Sequence, residues 1–128
     1  MTKFILLAAG GALGSLLRYS LSGLIYRYME GIFPWGTLFV NLAGSFAIGV
    51  LWGFFEMENL SPEMRNFVFV GILGGFTTFS TFSLESFNLL RDGEIRLAVS
   101  NILVSNIAGI ALVFIGFFIS KHIINTVK

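Results

Sequence analysis

Between Gly71 and Ser86 the chain reads Gly-Ile-Leu-Gly-Gly-Phe-Thr-Thr-Phe-Ser-Thr-Phe-Ser-Leu-Glu-Ser, and most of its capacity for chemistry lies in that run. The segment is apolar enough to cross a membrane, yet it holds three glycines, a series of hydroxyls and the carboxylate of Glu85. Each glycine lowers helix stability by about 1 kcal/mol, and Thr and Ser side chains offer the backbone other hydrogen bonds. The spacing therefore predicts a helix break across Gly74, Gly75, Phe76, Thr77 and Thr78. Non-helical backbone at membrane depth persists only where protein or a wet cavity satisfies it, so a broken span marks a buried junction, a binding site or a pore wall. A continuous Gly/Thr-rich helix packed tightly on a neighbour is the plainer alternative.

Two opposite chemistries are open at such a break. Exposed carbonyl oxygens coordinate cations. Phe76, Phe79 and Phe82 recur at every third position, with Thr78, Thr81 and Glu85 as an adjacent polar row and Ser80 in the same hydroxyl run. Ring edges are positive, and together with amide and hydroxyl donors they can replace the water around a small anion without a fixed charge that would trap it. An aromatic stripe that merely packs or faces lipid would look the same. Glu85 is a cation-favouring group, a proton carrier or a hydrogen-bonded structural residue.

Other segments supply matching groups. Thr37, Asn41 and Ser45 fall four residues apart and share a helical face, and Asn101, Ser105 and Gly109 form a similar row. Ser100 and Asn106 mark a competing face of the same segment. Asn41 is either an ion ligand or interhelical glue. Arg18 lies well inside an apolar stretch, where an unpaired arginine costs at least ~2.5 kcal/mol; it is a functional candidate or a side chain that snorkels outward. Gly10 and Gly14 have the small-xxx-small spacing of close helix packing.

These residues must be carried by membrane helices. Of 128 residues 55% are hydrophobic and only 12% charged, half the share of about 25% usual in soluble domains. An all-α integral membrane protein follows, forming one domain over residues 1–128 with spans near 4–28, 35–55, 67–90 and 95–124 and the third broken near its middle. The start of the chain imitates a signal peptide, but its apolar pattern continues far enough for a retained span. No cysteine and a single histidine, His122, exclude most thiol, metal and triad chemistry, and scattered basic residues with a net charge of +1 exclude a nucleic-acid footprint.

An even number of spans puts both termini on one side. Lys3, Arg65, Lys121 and Lys128 fall there and Arg27, Arg91 and Arg96 opposite, which gives almost no orientation bias. Such a chain can insert both ways, and two opposite copies can pair about a two-fold axis in the membrane plane.

Three ordered blocks resemble the signatures of the CrcB/Fluc fluoride channel family: Gly-Gly-Ala-Leu-Gly-Ser-Leu-Leu-Arg-Tyr at 10–19, Gly-Thr-Leu-Phe-Val-Asn-Leu-Ala-Gly-Ser-Phe at 36–46, and the run from Gly71 to Glu85. The resemblance implies an antiparallel, dual-topology homodimer with two pores that lets fluoride leave the cytoplasm and excludes chloride. It assigns Phe79, Phe82 and Asn41 to the fluoride pathway and Ser105 to the polar track of the fourth span. Thr37 and Thr81 are added to that pathway, and Arg18, Glu85 and Ser80 to the functional candidates, on the chemistry of their side chains. The resemblance places a structural sodium ion at the dimer interface on the backbone carbonyls of Gly74 and Thr77. It also implies residence in the plasma or inner membrane of a bacterium or archaeon, with membrane lipid, fluoride and a second copy as the partners and no enzymatic activity. The expected task is passive: HF crosses membranes neutral, ionises inside and is trapped as the anion. A small proton-coupled antiporter, exchanging fluoride or a cationic drug for protons, is the competing class, and a packing subunit without transport is a third.

Overall fold

The computed structural model describes residues 1–56 and 60–128; Met57, Glu58 and Asn59, in the turn expected between the second and third spans, lie outside the described residues. Among the described residues the regular elements are all helices: α1 (Thr2–Tyr28), α2 (Trp35–Phe55), α3 (residues 62–76), α4 (Phe79–Arg91) and α5 (Ile95–Val127). With α3 and α4 taken as one interrupted span, four helical segments are long and apolar enough to cross a membrane. In the second, the helix covers the apolar run from Trp35 to Phe55. The helix of the third starts at Pro62, ahead of the apolar run that opens at Phe67. Ser61 caps it, its Oγ accepting from the Met64 N–H at 3.2 Å, and Pro62 and Glu63 occupy the first turn, where a missing N–H and a negative charge are tolerated best.

Short connections hold neighbours antiparallel. Gly31 (φ +101°) turns the chain between α1 and α2, and Gly93 (φ +83°) turns it between α4 and α5, both in the left-handed region that side chains avoid.

Small residues set the helix contacts. On α1, a Cβ at Gly14 would meet the Ile72 carbonyl and, at 2.8 Å, the Phe76 nitrogen, so α1 lies backbone to backbone on α3 as the glycine spacing predicts. On the other side α2 meets α5 through Gly49, Gly53 and Gly116, and Lys121 pairs with Glu56 at 2.7 Å where α2 ends. Gly14→Val is therefore expected to lower the unfolding free energy by about 1–3 kcal/mol, because the obstructing atoms are backbone and cannot rotate away. Thermal unfolding in detergent measures this, with Gly11→Ala as the control, since nothing lies within 4 Å of a Cβ there.

The interior is thin. Leu38, Val40, Leu73, Phe82, Leu89 and Ala98 are its buried apolar residues, while large apolar side chains on every helix point outward. Four long apolar helices with outward apolar side chains make the chain an integral membrane protein.

Candidate functional site

The third span does break, two or three residues beyond its glycines. The helix continues through Gly74 and Gly75 to Phe76, winding with wider π-type turns over Asn66–Leu73 on the way. Thr77 (φ −87°, ψ 156°) and Thr78 (φ −148°, ψ 118°) are extended, and α4 then restarts with Thr78 as its cap. The break therefore separates Phe76 from Phe79, and the expected stripe of three phenylalanines is two. Phe76 stays on α3 and packs near Gly44.

Two extended residues leave backbone groups without helical partners, and each must be satisfied inside the membrane. Asn41 on α2 does this for Thr78. Its Nδ2 donates to the Thr78 carbonyl at 3.0 Å, and the Thr78 N–H donates to its Oδ1 at 2.8 Å. The Thr78 Oγ1 accepts from the Thr81 N–H at 3.2 Å while donating to Thr81 Oγ1 at 3.0 Å; it also lies 3.4 Å from Ser80 Oγ. Thr77 donates its hydroxyl to the Leu73 carbonyl at 3.0 Å.

A donor inventory separates the polar side chains predicted to act here. Asn41 has two amide hydrogens and uses one on Thr78. Thr81 Oγ1 accepts from Thr78, so its own hydroxyl hydrogen is uncommitted. Thr37 instead gives its hydrogen to Glu85 Oε1 at 2.7 Å, and Ser105 gives its hydrogen to Asn101 Oδ1 at 3.3 Å. Asn101, 1% exposed, donates in turn to Ser86 Oγ at 3.0 Å, and Ser86 to the Phe82 carbonyl at 2.8 Å. The fourth-span row is thus tied to the helix that carries the phenylalanines.

Three cavities follow one another along these groups. One of about 340 Å³ is lined by Asn41, Ser45, Gly74, Thr77, Thr78 and Phe79. The second, about 350 Å³, is lined by Ser15, Arg18, Ser22, Thr37, Thr78 and Thr81. Thr78 borders both, so the Asn41–Thr78 pair stands between them. The third, about 220 Å³, reaches Tyr26, Pro34, Glu85, Asn88 and Asp92, and the Thr37–Glu85 bond stands between it and the second. Arg18 has no carboxylate at ion-pair distance among the described residues and turns to the second cavity.

Phe79 and Phe82 meet with ring centroids 5.6 Å apart at 48°, and they differ in exposure: Phe82 is buried at 9%, whereas Phe79 is 77% exposed. Glu85 Oε1 accepts from both Thr37 and, at 3.4 Å, Tyr26, while Oε2 is buried without a partner among the described residues.

A family model described as CrcB-like protein, Camphor Resistance (CrcB), matches residues 5–117. The chain belongs to the CrcB family. Relatives carrying the name fluoride-specific ion channel FluC include a protein of Parabacteroides distasonis, 47% identical over 128 residues and the full length of both chains. Another, of Pyrococcus horikoshii, is 48% identical over 118 residues, covering 91% of this chain and 94% of its own. A third, of Salinibacter ruber, is 48% identical over 116 residues, covering 91% and 87%. All residues named at the three cavities of this CrcB chain fall inside the matched range.

Two partners in this CrcB site escaped sequence reasoning. Tyr26, near the end of α1, lays its ring on Gly36 and reaches Glu85 with its hydroxyl. Ser86 carries no distinctive motif, although it and Asn101 sit at similar distances on either side of the Gly93 turn, a symmetry that pairs positions in an antiparallel hairpin.

Proposed function

We propose that this protein is a passive fluoride channel that works as an antiparallel homodimer with two pores. The observation that carries the reading is the placing of uncommitted donors and aromatic rings around one membrane-depth break: the second Asn41 N–H borders one cavity with Phe79, the Thr81 hydroxyl borders the next, and Phe82 packs on Phe79. Donors and ring edges replace the hydration of a small anion, and no lysine or arginine lines the cavity at Asn41 and Phe79 to hold it there. Arg18 raises the local anion concentration in the second cavity. Thr37 and Ser105 join the pathway by turning their hydroxyls from Glu85 and Asn101 toward a passing ion, and Ser80 adds a hydroxyl at the exposed side of the cap. The names borne by the relatives point to the same ion.

The dimer draws support from the thin interior, the exposed Phe79 and the near balance of positive charge on the two sides. A structural sodium ion fits the break. The Thr78 N–H goes to Asn41 in place of the Gly74 carbonyl that a continuing helix would use, and the Thr77 carbonyl accepts no backbone hydrogen bond among the described residues. Carbonyl oxygens suit a hard cation, and Gly74 and Thr77 of two copies would hold it, neutralising facing dipoles.

Glu85, with its unpartnered buried Oε2, favours a second reading, a proton-coupled antiporter. Efflux from liposomes of the purified protein separates the two. Fast fluoride efflux without chloride efflux and without need of a proton gradient is expected; flux that vanishes when the gradient is removed would identify the antiporter.

A further inference from the structure

We propose that Ser45, to which no role attaches in the reading above, donates its hydroxyl to the anion in the cavity beside Phe79; the proposal rests on the fluoride reading.

Several polar side chains inside helices of this protein turn back onto their own helix, while others, Ser15, Ser20, Ser83 and Ser100 among them, make no side-chain hydrogen bond among the described residues. Ser86, Ser120, Thr77 and Asn106 each donate to a carbonyl three or four residues earlier, at 2.7–3.0 Å. That habit satisfies a hydroxyl in an apolar surrounding at no cost in partners. Ser45 belongs with the unbonded serines and is the one that borders the cavity beside Asn41 and Phe79. Among the described residues its Oγ has no hydrogen-bond partner, neither on α2 nor on a neighbour, and the side chain lines the cavity that holds Asn41, Thr77, Thr78 and Phe79. It lies one helical turn from Asn41 on the same face, so the free amide hydrogen of Asn41 and the hydroxyl of Ser45 border one space.

The opposing helix supplies a reason for a donor at this position. On α5 the row Asn101, Ser105, Gly109 carries polar side chains at its first two positions and none at the third. A Cβ built at Gly109 would sit 3.6 Å from Ser45 Oγ, an ordinary contact distance. Ser45 on α2 therefore presents a hydroxyl where the α5 row lacks one. Charge-assisted hydrogen bonds to an anion are stronger than neutral ones, so one donor at this point matters to an ion that gives up its water.

Fluoride efflux from proteoliposomes loaded with potassium fluoride tests this, using wild type, Ser45→Ala, Ser45→Thr and the double variant Ser45→Ala with Gly109→Ser, each checked for elution volume and thermal transition. The expected result is about a tenfold loss of flux in Ser45→Ala at unchanged thermal transition, with recovery in Ser45→Thr, in the double variant, or in both. Flux at the wild-type rate in Ser45→Ala overturns the proposal. So does a loss that neither other variant repairs, which would make Ser45 a packing residue. An absence of fluoride flux in wild type itself would refute the channel reading and this inference together, a result distinct from an active wild type insensitive to Ser45.

Discussion

Replacing Phe79 by isoleucine is expected to cut fluoride flux at least about tenfold while leaving the fold intact, a barrier change of about 1.4 kcal/mol. The two halves of that statement come from different facts. Phe79 is 77% exposed, so the substitution removes little packing from the single chain. Its ring nevertheless lies 5.6 Å from Phe82 and lines the cavity at the break, where an aliphatic side chain offers no positive edge. Phe82→Ile tests the same role less cleanly, because Phe82 is buried and its replacement disturbs the core as well. Efflux rates set against thermal transitions for both variants decide the matter, and undiminished flux in both would remove the rings from the pathway.

Asn41→Asp is expected to act on structure and flux together. Asn41 holds the break with a donor and an acceptor at once, reaching the carbonyl and the N–H of Thr78. An aspartate keeps the acceptor and loses the donor, setting a carboxylate oxygen against the Thr78 carbonyl. The lost bond and the unsatisfied carbonyl amount to about 1–3 kcal/mol of stability. The added negative charge also repels an anion between the two cavities that Thr78 borders, so flux should fall by more than about tenfold. Wild-type conductance in a folded Asn41→Asp protein would show that Asn41 is only the brace of the broken helix.

The reach of sequence reasoning varies with the range of the interaction. The spans were legible because a membrane demands about 20 apolar residues and punishes charge, a local requirement that composition reports directly. α2 covers the apolar run from Trp35 to Phe55, and the α1 glycines meet α3 as their spacing implies. The helix of the third span begins at Pro62, ahead of the apolar run from Phe67, because its first turns are polar and are set by the Ser61 cap rather than by hydropathy. The glycines marked the right neighbourhood for the break but not its position, since Gly74 and Gly75 tolerate helix and the chain opens only where Asn41 can replace the missing backbone bonds. That partner lies far away in the chain.

By itself the sequence determined an all-helical membrane protein, the donors and rings available near one interruption, and membership of a family. Which hydrogen each donor has left was decided only by the tertiary structure. Thr37 and Asn41 share a face on one helix, yet Thr37 gives its hydrogen to Glu85 while Asn41 keeps one free. Ser105 and Ser45 are both serines on polar rows, yet Ser105 is bonded to Asn101 and Ser45 borders the cavity without a partner among the described residues. The physical reason is that a hydrogen bond is a property of two groups and their geometry, whereas spacing along a helix states only which way one of them points.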